Sequence, residues 1–316
     1  MKKYILFAAL AAATLFWDSC QKKKSEETTY NINGKNALFS DLRYEPQRFT
    51  VEAGRDTTIF SLDSNTVINF YPQTFRDAND NVFSKGMVGI ELIEMYEPGD
   101  MILNRATTEA SGNKILQSSG QVRIKASMNG KELFANVYGI GFKVVKAKVT
   151  GDSMSLFYGN TNNEDSVVTW TQSTVNLGTR SVPTVRDSTA GPGSEKELYY
   201  FFDSCASFEF VNCDRYFGLT GVETSIAVDY DTKKFSRENT SVFLSLPEIN
   251  GVVPFRPEYN LKYPLGMKYV LVILAKKDGN YYFDMQSGTI TENMRVKMNP
   301  YLETRFNIKA RLGGIM

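Results

Sequence analysis

The stretch "GQVRIKASMNGKELFANV", residues 120–137, decides the fold class. Val122, Ile124 and Ala126 alternate with Arg123 and Lys125, which gives a strand with one buried and one wet face. Asn129-Gly130 then stands between two such runs, and it is a strong short hairpin signal, because both central residues of a tight primed turn need positive φ. The same grammar repeats outward in both directions. "TTIFSL", "NTVINFYP", "GMVGIELIEMYE" and "GFKVVKAKVTG" read as strands, with "RDANDN" a turn among them. Beyond residue 198 come "LYYFFDSCASFEFVNCDRYF", "TSIAVDY", "TSVFLSL", "KYVLVILAKKDGNYYFDM" and "TRFNIKARL", with Asp278-Gly279 as a second hairpin turn. "YVLVILA" has the continuous apolar character of a central strand buried on both faces. No window carries a helical apolar stripe longer than two turns, and "EPGDMILNRAT" is the best place for a short helix or loop.

Short strands at regular spacing predict an all-β chain built from two β-sandwich domains. "TQSTVNLGTRSVPTVRDSTAGPGSEKE", residues 171–197, is rich in Ser, Thr, Gly and Pro and predicts a linker between them. The expected organisation is a signal peptide over 1–19, a flexible tether over 20–45, sandwiches over 46–170 and 198–316, and the linker between.

The front end supplies an address. Lys2 and Lys3 precede fourteen uncharged apolar residues, "YILFAALAAATLFW", too short to span a bilayer, which takes about 20, and of signal-peptide length. Ser19 then precedes Cys20, as in bacterial lipoprotein signals, where the Cys becomes an acylated N-terminus. Trp17 and Asp18 stand where those signals usually carry Leu and a small residue. A secreted thiol, or a residue inside an uncleaved anchor, are the other readings of Cys20. Lipidation at Cys20 predicts a membrane partner through the N-terminus and an outer-membrane location. Lys22, Lys23 and Lys24 ahead of Glu26 and Glu27 leave the periplasmic face and the cell surface equally open.

Composition narrows the chemistry. Cleavage before Cys20 leaves 34 basic and 34 acidic residues, so no basic footprint for nucleic acid exists. The chain holds no histidine, which removes the commonest general base and metal ligand. Catalysis, cofactors and metals are therefore not expected. Cys205 and Cys213, eight residues apart in a run that reads as one strand, would lie roughly 26 Å apart by strand rise and are expected to be buried free thiols. Four catalytic or metal-like patterns give way to plainer readings. The loop from Asp77 lacks the Gly and Glu of a calcium loop, with Val82 and Val88 in their places. "NCDRYF" predicts a strand end with Cys213 inward and Asp214 paired to Arg215. "SGNK", from Ser111, is a turn, and Glu91, Glu94 and Glu97 read as solvated charges.

"TVINFYPQTFRDANDNVFSKGMVGIELIEMYEPGDMILNRATTEASGNKILQSSGQVRIKASMNGKELF", residues 66–134, resembles the N-terminal domain of a group of Bacteroidota lipoproteins of largely uncharacterised function. The matching positions are Phe75, Asp77, Asn79 and Val82, the run Val88 to Glu94, Asp100 to Leu103, and Leu116, Ser118 and Gly120, while Tyr71-Pro72, Asn81 and Ser119 depart from the group's pattern. Asn212, Cys213, Asp214 and Arg215 resemble that group's later N-C-D-R segment. The resemblance implies a ZU5-like first sandwich (an Ig-like fold) and brings no activity. It also implies O-glycosylation at Asp-Ser/Thr pairs followed by an apolar residue or Thr, with Thr57, Ser153, Ser166 and Ser188 as acceptors. Three readings of function follow: binding or scaffolding of an envelope protein, binding of a glycan by aromatic faces such as "YYFFDS" and "GNYYFD", or a fimbrial-type subunit. A carboxylate-based hydrolase would need two acids facing one cleft.

Overall fold

The computed structural model describes residues 34–144, 154–161, 167–173, 184–187, 198–218, 221–256 and 261–315. Cys20, Ser153, Ser166 and Ser188 lie outside these residues. Among the described residues no helix is long and apolar enough to cross a membrane.

The protein is mostly β, of sandwich type. The larger sheet runs β1 (Gln47–Glu52), β5 (Met87–Met95), β7 (Lys114–Met128), β14 (Glu209–Tyr216), β10 (Ser155–Thr161), β11 (Val168–Gln172) and β6 (Glu109–Ala110). β8 (Lys131–Ala135) and β4 (Phe75–Arg76) extend it from β7. Facing it is a five-stranded sheet of β12 (Thr184–Asp187), β13 (Leu198–Cys205), β9 (Tyr138–Lys143), β3 (Thr66–Phe70) and β2 (Thr57–Phe60). The alternation read in residues 120–137 is the one that builds this sandwich: Val122, Ile124 and Ala126 enter its core beside Val211 and Cys213. Asn129 and Gly130 have φ of 52° and 75° and turn β7 into β8.

A second five-stranded sheet holds β18 (Gly251–Pro254), β17 (Thr240–Leu246), β20 (Lys268–Lys277), β21 (Asn280–Thr289) and β23 (Tyr301–Glu303). β20 sits centrally and is buried on both faces, as "YVLVILA" predicts. Leu271 and Ile273 point to one cluster, which small pairs cover: β15 (Glu223–Thr224) with β19 (Tyr263–Pro264), and β16 (Ile226–Asp229) with β22 (Met294–Lys297). Val272 and Leu274 point to another, which is shared with Phe157, Trp170 and Phe210 on the outer face of the large sheet. Three helices complete that shared core: α1 (Gly34–Leu42), α2 (Pro98–Asn104) and α3 (Arg305–Leu312).

Four boundaries differ from the sequence reading. Residues 34–42 of the expected tether are α1, with Leu38, Phe39 and Leu42 fully buried. Phe39 meets Phe243 edge-on at 6.0 Å, and Asp41 accepts hydrogen bonds from Lys276 and Tyr281. A nine-residue helix has too little intrinsic stability to announce itself, and tertiary packing forms it. The expected linker 171–197 contributes the end of β11 and all of β12. β13 and β14, assigned by sequence to the second domain, complete the first sandwich, so residues 34–316 form one compact unit. The run that reads as one strand is broken at residues 206–208, and Glu209 takes φ of 66° to start β14 in the opposite sheet. Finally "TRFNIKARL" is the helix α3, its first turn capped by Thr304, whose Oγ1 accepts from the Asn307 N–H at 3.2 Å.

Candidate functional site

The structure brings the N-C-D-R segment beside the Leu116–Gly120 segment. β14 pairs antiparallel with β7, setting Arg215 opposite Gln117, Asp214 opposite Ser118 and Asn212 opposite Gln121. Cys213 points into the sandwich core and Cys205 is equally buried; both thiols are free, and burial pushes both well up from their ordinary range. A buried protonated thiol is inert. Arg215 Nε donates to Gln117 Oε1 at 2.9 Å, and Asp214 accepts from Asn212 Nδ2 at 2.5 Å. The expected role of Asp214 as a partner for Arg215 is thus taken by Gln117 and Asn212.

Where β7 and β10 begin and β14 and β11 end, the large sheet opens into a cleft of about 530 Å³. Gln117, Ser155, Gln172, Arg215 and Tyr216 line it, with Phe157, Phe217 and Gly218. Tyr216 stands edge-on to the fully buried Phe157 at 5.5 Å, so its ring is braced from behind. Lys114 lies 5.0 Å from the same ring, which is 42% exposed. Gln172 Nε2 donates to Ser155 Oγ at 3.1 Å. The cleft therefore offers the Tyr216 ring, with Lys114 over one face, beside two hydrogen-bonded pairs, Arg215 with Gln117 and Gln172 with Ser155. Planar polar groups beside a ring are what a polyhydroxylated ring ligand requires.

A second concavity, about 430 Å³, is acidic. Glu45, Asp63, Glu94, Glu97 and Asp100 line it with Tyr44, Gln47, Asn65 and Tyr96, and among the described residues no lysine or arginine does. Glu94 is held in place, accepting from Gln47 Nε2 at 2.8 Å and Thr66 Oγ1 at 2.6 Å. Asp100 sits in the first turn of α2 and is pushed up to about 6, chiefly by burial, with Glu97 and Glu94 adding like charge. Burial and the charge of Asp100 push the Tyr44 phenol up as well. Of the three glutamates read as solvated charges, Glu91 faces Arg48 at 3.2 Å, whereas Glu94 and Glu97 belong to this groove.

The remaining predicted residues fall elsewhere. Thr57, a candidate acceptor, is half-buried at the start of the edge strand β2. The Asp77 loop is a turn in which Asp77 accepts from the N–H groups of Asn79 and Asn81. "YYFFDS" is core: Tyr199, Tyr200, Phe201 and Phe202 are all buried. In "GNYYFD", Phe283 is buried and Tyr282 packs against Phe235 at 5.2 Å. Sequence reasoning quoted "NCDRYF" without giving Tyr216 a role and missed Gln117, Ser155 and Gln172, which no local signal marks, because four strands from three parts of the chain bring them together. Among the described residues, no group of three or more His, Cys, Asp or Glu is arranged to hold a metal. Compared with family models, curated proteins and solved structures, the chain matches none.

Proposed function

We propose that this chain is a lipid-anchored binding protein of the cell envelope, held by acyl chains on Cys20, and that it takes a glycan in the Tyr216 cleft. The observation that carries the ligand class is the braced, half-exposed ring of Tyr216 among Gln117, Gln172, Arg215 and Ser155. Hydrogen-bonding side chains that already hold one another lose little freedom when a ligand docks, which favours binding. The missing histidine and the inert thiols support binding over catalysis. Support for the anchor comes from the signal-like segment and the resemblance to Bacteroidota lipoproteins. Affinity electrophoresis against a panel of polysaccharides tests the ligand: retardation that Tyr216→Ala abolishes is expected, and a wild-type protein retarded by none of them overturns the reading. Fatty-acid labelling tests the anchor, and label that persists in Cys20→Ala refutes it.

The acidic groove favours a second reading, a scaffold that docks a basic segment of an envelope protein. An acidic lining that includes Asp63, Glu94 and Asp100 attracts cationic partners and speeds their encounter. Binding of a Lys/Arg-rich peptide that weakens steeply with salt supports it; binding unaffected by Glu94→Gln and Asp63→Asn dismisses it.

A further inference from the structure

A polar island lies in the interior, and its four residues line neither concavity. Gln121, Asn212 and Asp214 have no exposed surface, and Asn250 keeps 6%. The first three share the outer face of the large sheet, because their neighbours Val122, Val211 and Cys213 point the other way into the sandwich core. Asn250 closes over them from the end of the Pro247–Ile249 turn, donating from Nδ2 to Tyr96 O at 2.9 Å and Ser118 O at 3.2 Å. Four oxygens here accept nothing: Gln121 Oε1, Asn212 Oδ1, Asp214 Oδ1 and Asn250 Oδ1. Buried polar atoms are nearly always paired, so four orphan acceptors on neighbouring residues call for a partner that the protein's own side chains do not supply.

The orientation of two amides is fixed. Asn212 Nδ2 donates to Asp214 Oδ2, and Asn250 Nδ2 donates to two carbonyls, so exchanging O and N in either would set oxygen against oxygen. Gln121 Nε2 is also unpartnered, and turning it toward the island serves no more than two of the four. The groups acting on Asp214 are the Ser118 hydroxyl, the Asn212 amide and the Ser119 N–H, with no lysine or arginine among them. One carboxylate and three amide oxygens form a hard, all-oxygen ligand set with a single negative charge. Soft metals are disfavoured, since Cys213 faces the opposite side of the sheet.

We propose that Asp214, Asn212, Gln121 and Asn250 form a buried site for one monovalent cation of the sodium class, which fastens the large sheet to the Pro247–Ile249 turn. The charges cancel, and each orphan oxygen gains a partner. A divalent ion would leave an uncompensated positive charge in the core.

The test is thermal unfolding of the full chain at constant ionic strength, with choline chloride replaced stepwise by sodium chloride. A saturable rise in Tm in wild type, absent in Asp214→Asn and Asn250→Ala, is expected. Should those variants not fold, thallous ions soaked into wild-type crystals provide the second readout: an anomalous peak in contact with Asp214 Oδ1 and Asn212 Oδ1 is expected. Equal Tm in choline and sodium together with no thallium peak overturns the proposal in favour of a protonated Asp214 with ordered water. A Tm that rises with calcium and not with sodium overturns the monovalent assignment.

Discussion

Replacing Asp100 with Asn should stabilise the protein, and only above mildly acid pH. The carboxyl is raised from 3.8 to about 6, mostly by burial, so the folded chain holds this proton more tightly than the unfolded chain does. The sign follows directly. Below about pH 4 the group is protonated in both states and contributes nothing. Between about pH 4 and 6 the unfolded chain releases the proton first, and stability falls as pH rises. Above that window the cost is constant, at about 3 kcal/mol for a shift of roughly two units. Position offsets part of this gain in the variant, because a carboxylate in the first turn of α2 also interacts favourably with the helix dipole, by about 0.3–1 kcal/mol. Asp100→Asn is therefore expected to gain about 1–3 kcal/mol near pH 7.5 and almost nothing near pH 4. Urea denaturation of both proteins across this range measures it. A stability difference that stays level with pH, or grows toward acid, refutes the assignment of a desolvated, like-charged Asp100. The companion variant Glu97→Gln removes one neighbouring charge and should narrow the pH window from its upper end.

Three further outcomes are expected. Phe39→Ala should cost about 3–5 kcal/mol by emptying the contact of α1 with Phe243; unchanged stability in urea would mean residues 34–42 are not docked. Gly120→Ala would place a methyl 2.4 Å from the Tyr96 ring at φ of 137°, and should lower stability by about 2–4 kcal/mol in the same assay; a loss below about 1 kcal/mol would contradict that close approach. Arg256→Met should cost about 3–5 kcal/mol, because it strands Glu109, whose carboxyl burial already pushes up and whose partner lies 3.2 Å away. Adding Glu109→Gln should recover most of that loss, and a fully additive double variant would refute the pairing.

Local features were legible in the sequence. The alternation in β7, the Asn129-Gly130 and Asp278-Gly279 turns and the double-sided burial of β20 all follow from neighbours in the chain, and the structure repeats them. α3 was misread for a physical reason: Phe306, Ile308, Ala310 and Leu312 alternate with polar residues at period two, which imitates a strand. Only Ile308 and Leu312, one helical turn apart, are buried, while Phe306 is 80% exposed. The Thr304 cap was the legible counter-signal. α1 had none, because Asp41 and Phe39 find partners, Tyr281 and Phe243, over two hundred residues away. The Tyr216 cleft and the Asp214 island were illegible for the same reason. Gln117 with Arg215, and Gln121 with Asn212, meet through strand register, and spacing along the chain does not encode register between distant strands.

The position of β14 constrains how this molecule is made. It lies between β7 and β10, in the middle of the large sheet, although it follows both in the chain. Until residue 216 has left the ribosome, the edges of β7 and β10 that pair with β14 lack that partner. The first half consequently cannot mature ahead of the second. A nascent chain stalled before residue 209 offers two strand edges to any extended peptide nearby, and this window is where a holding chaperone has most to protect.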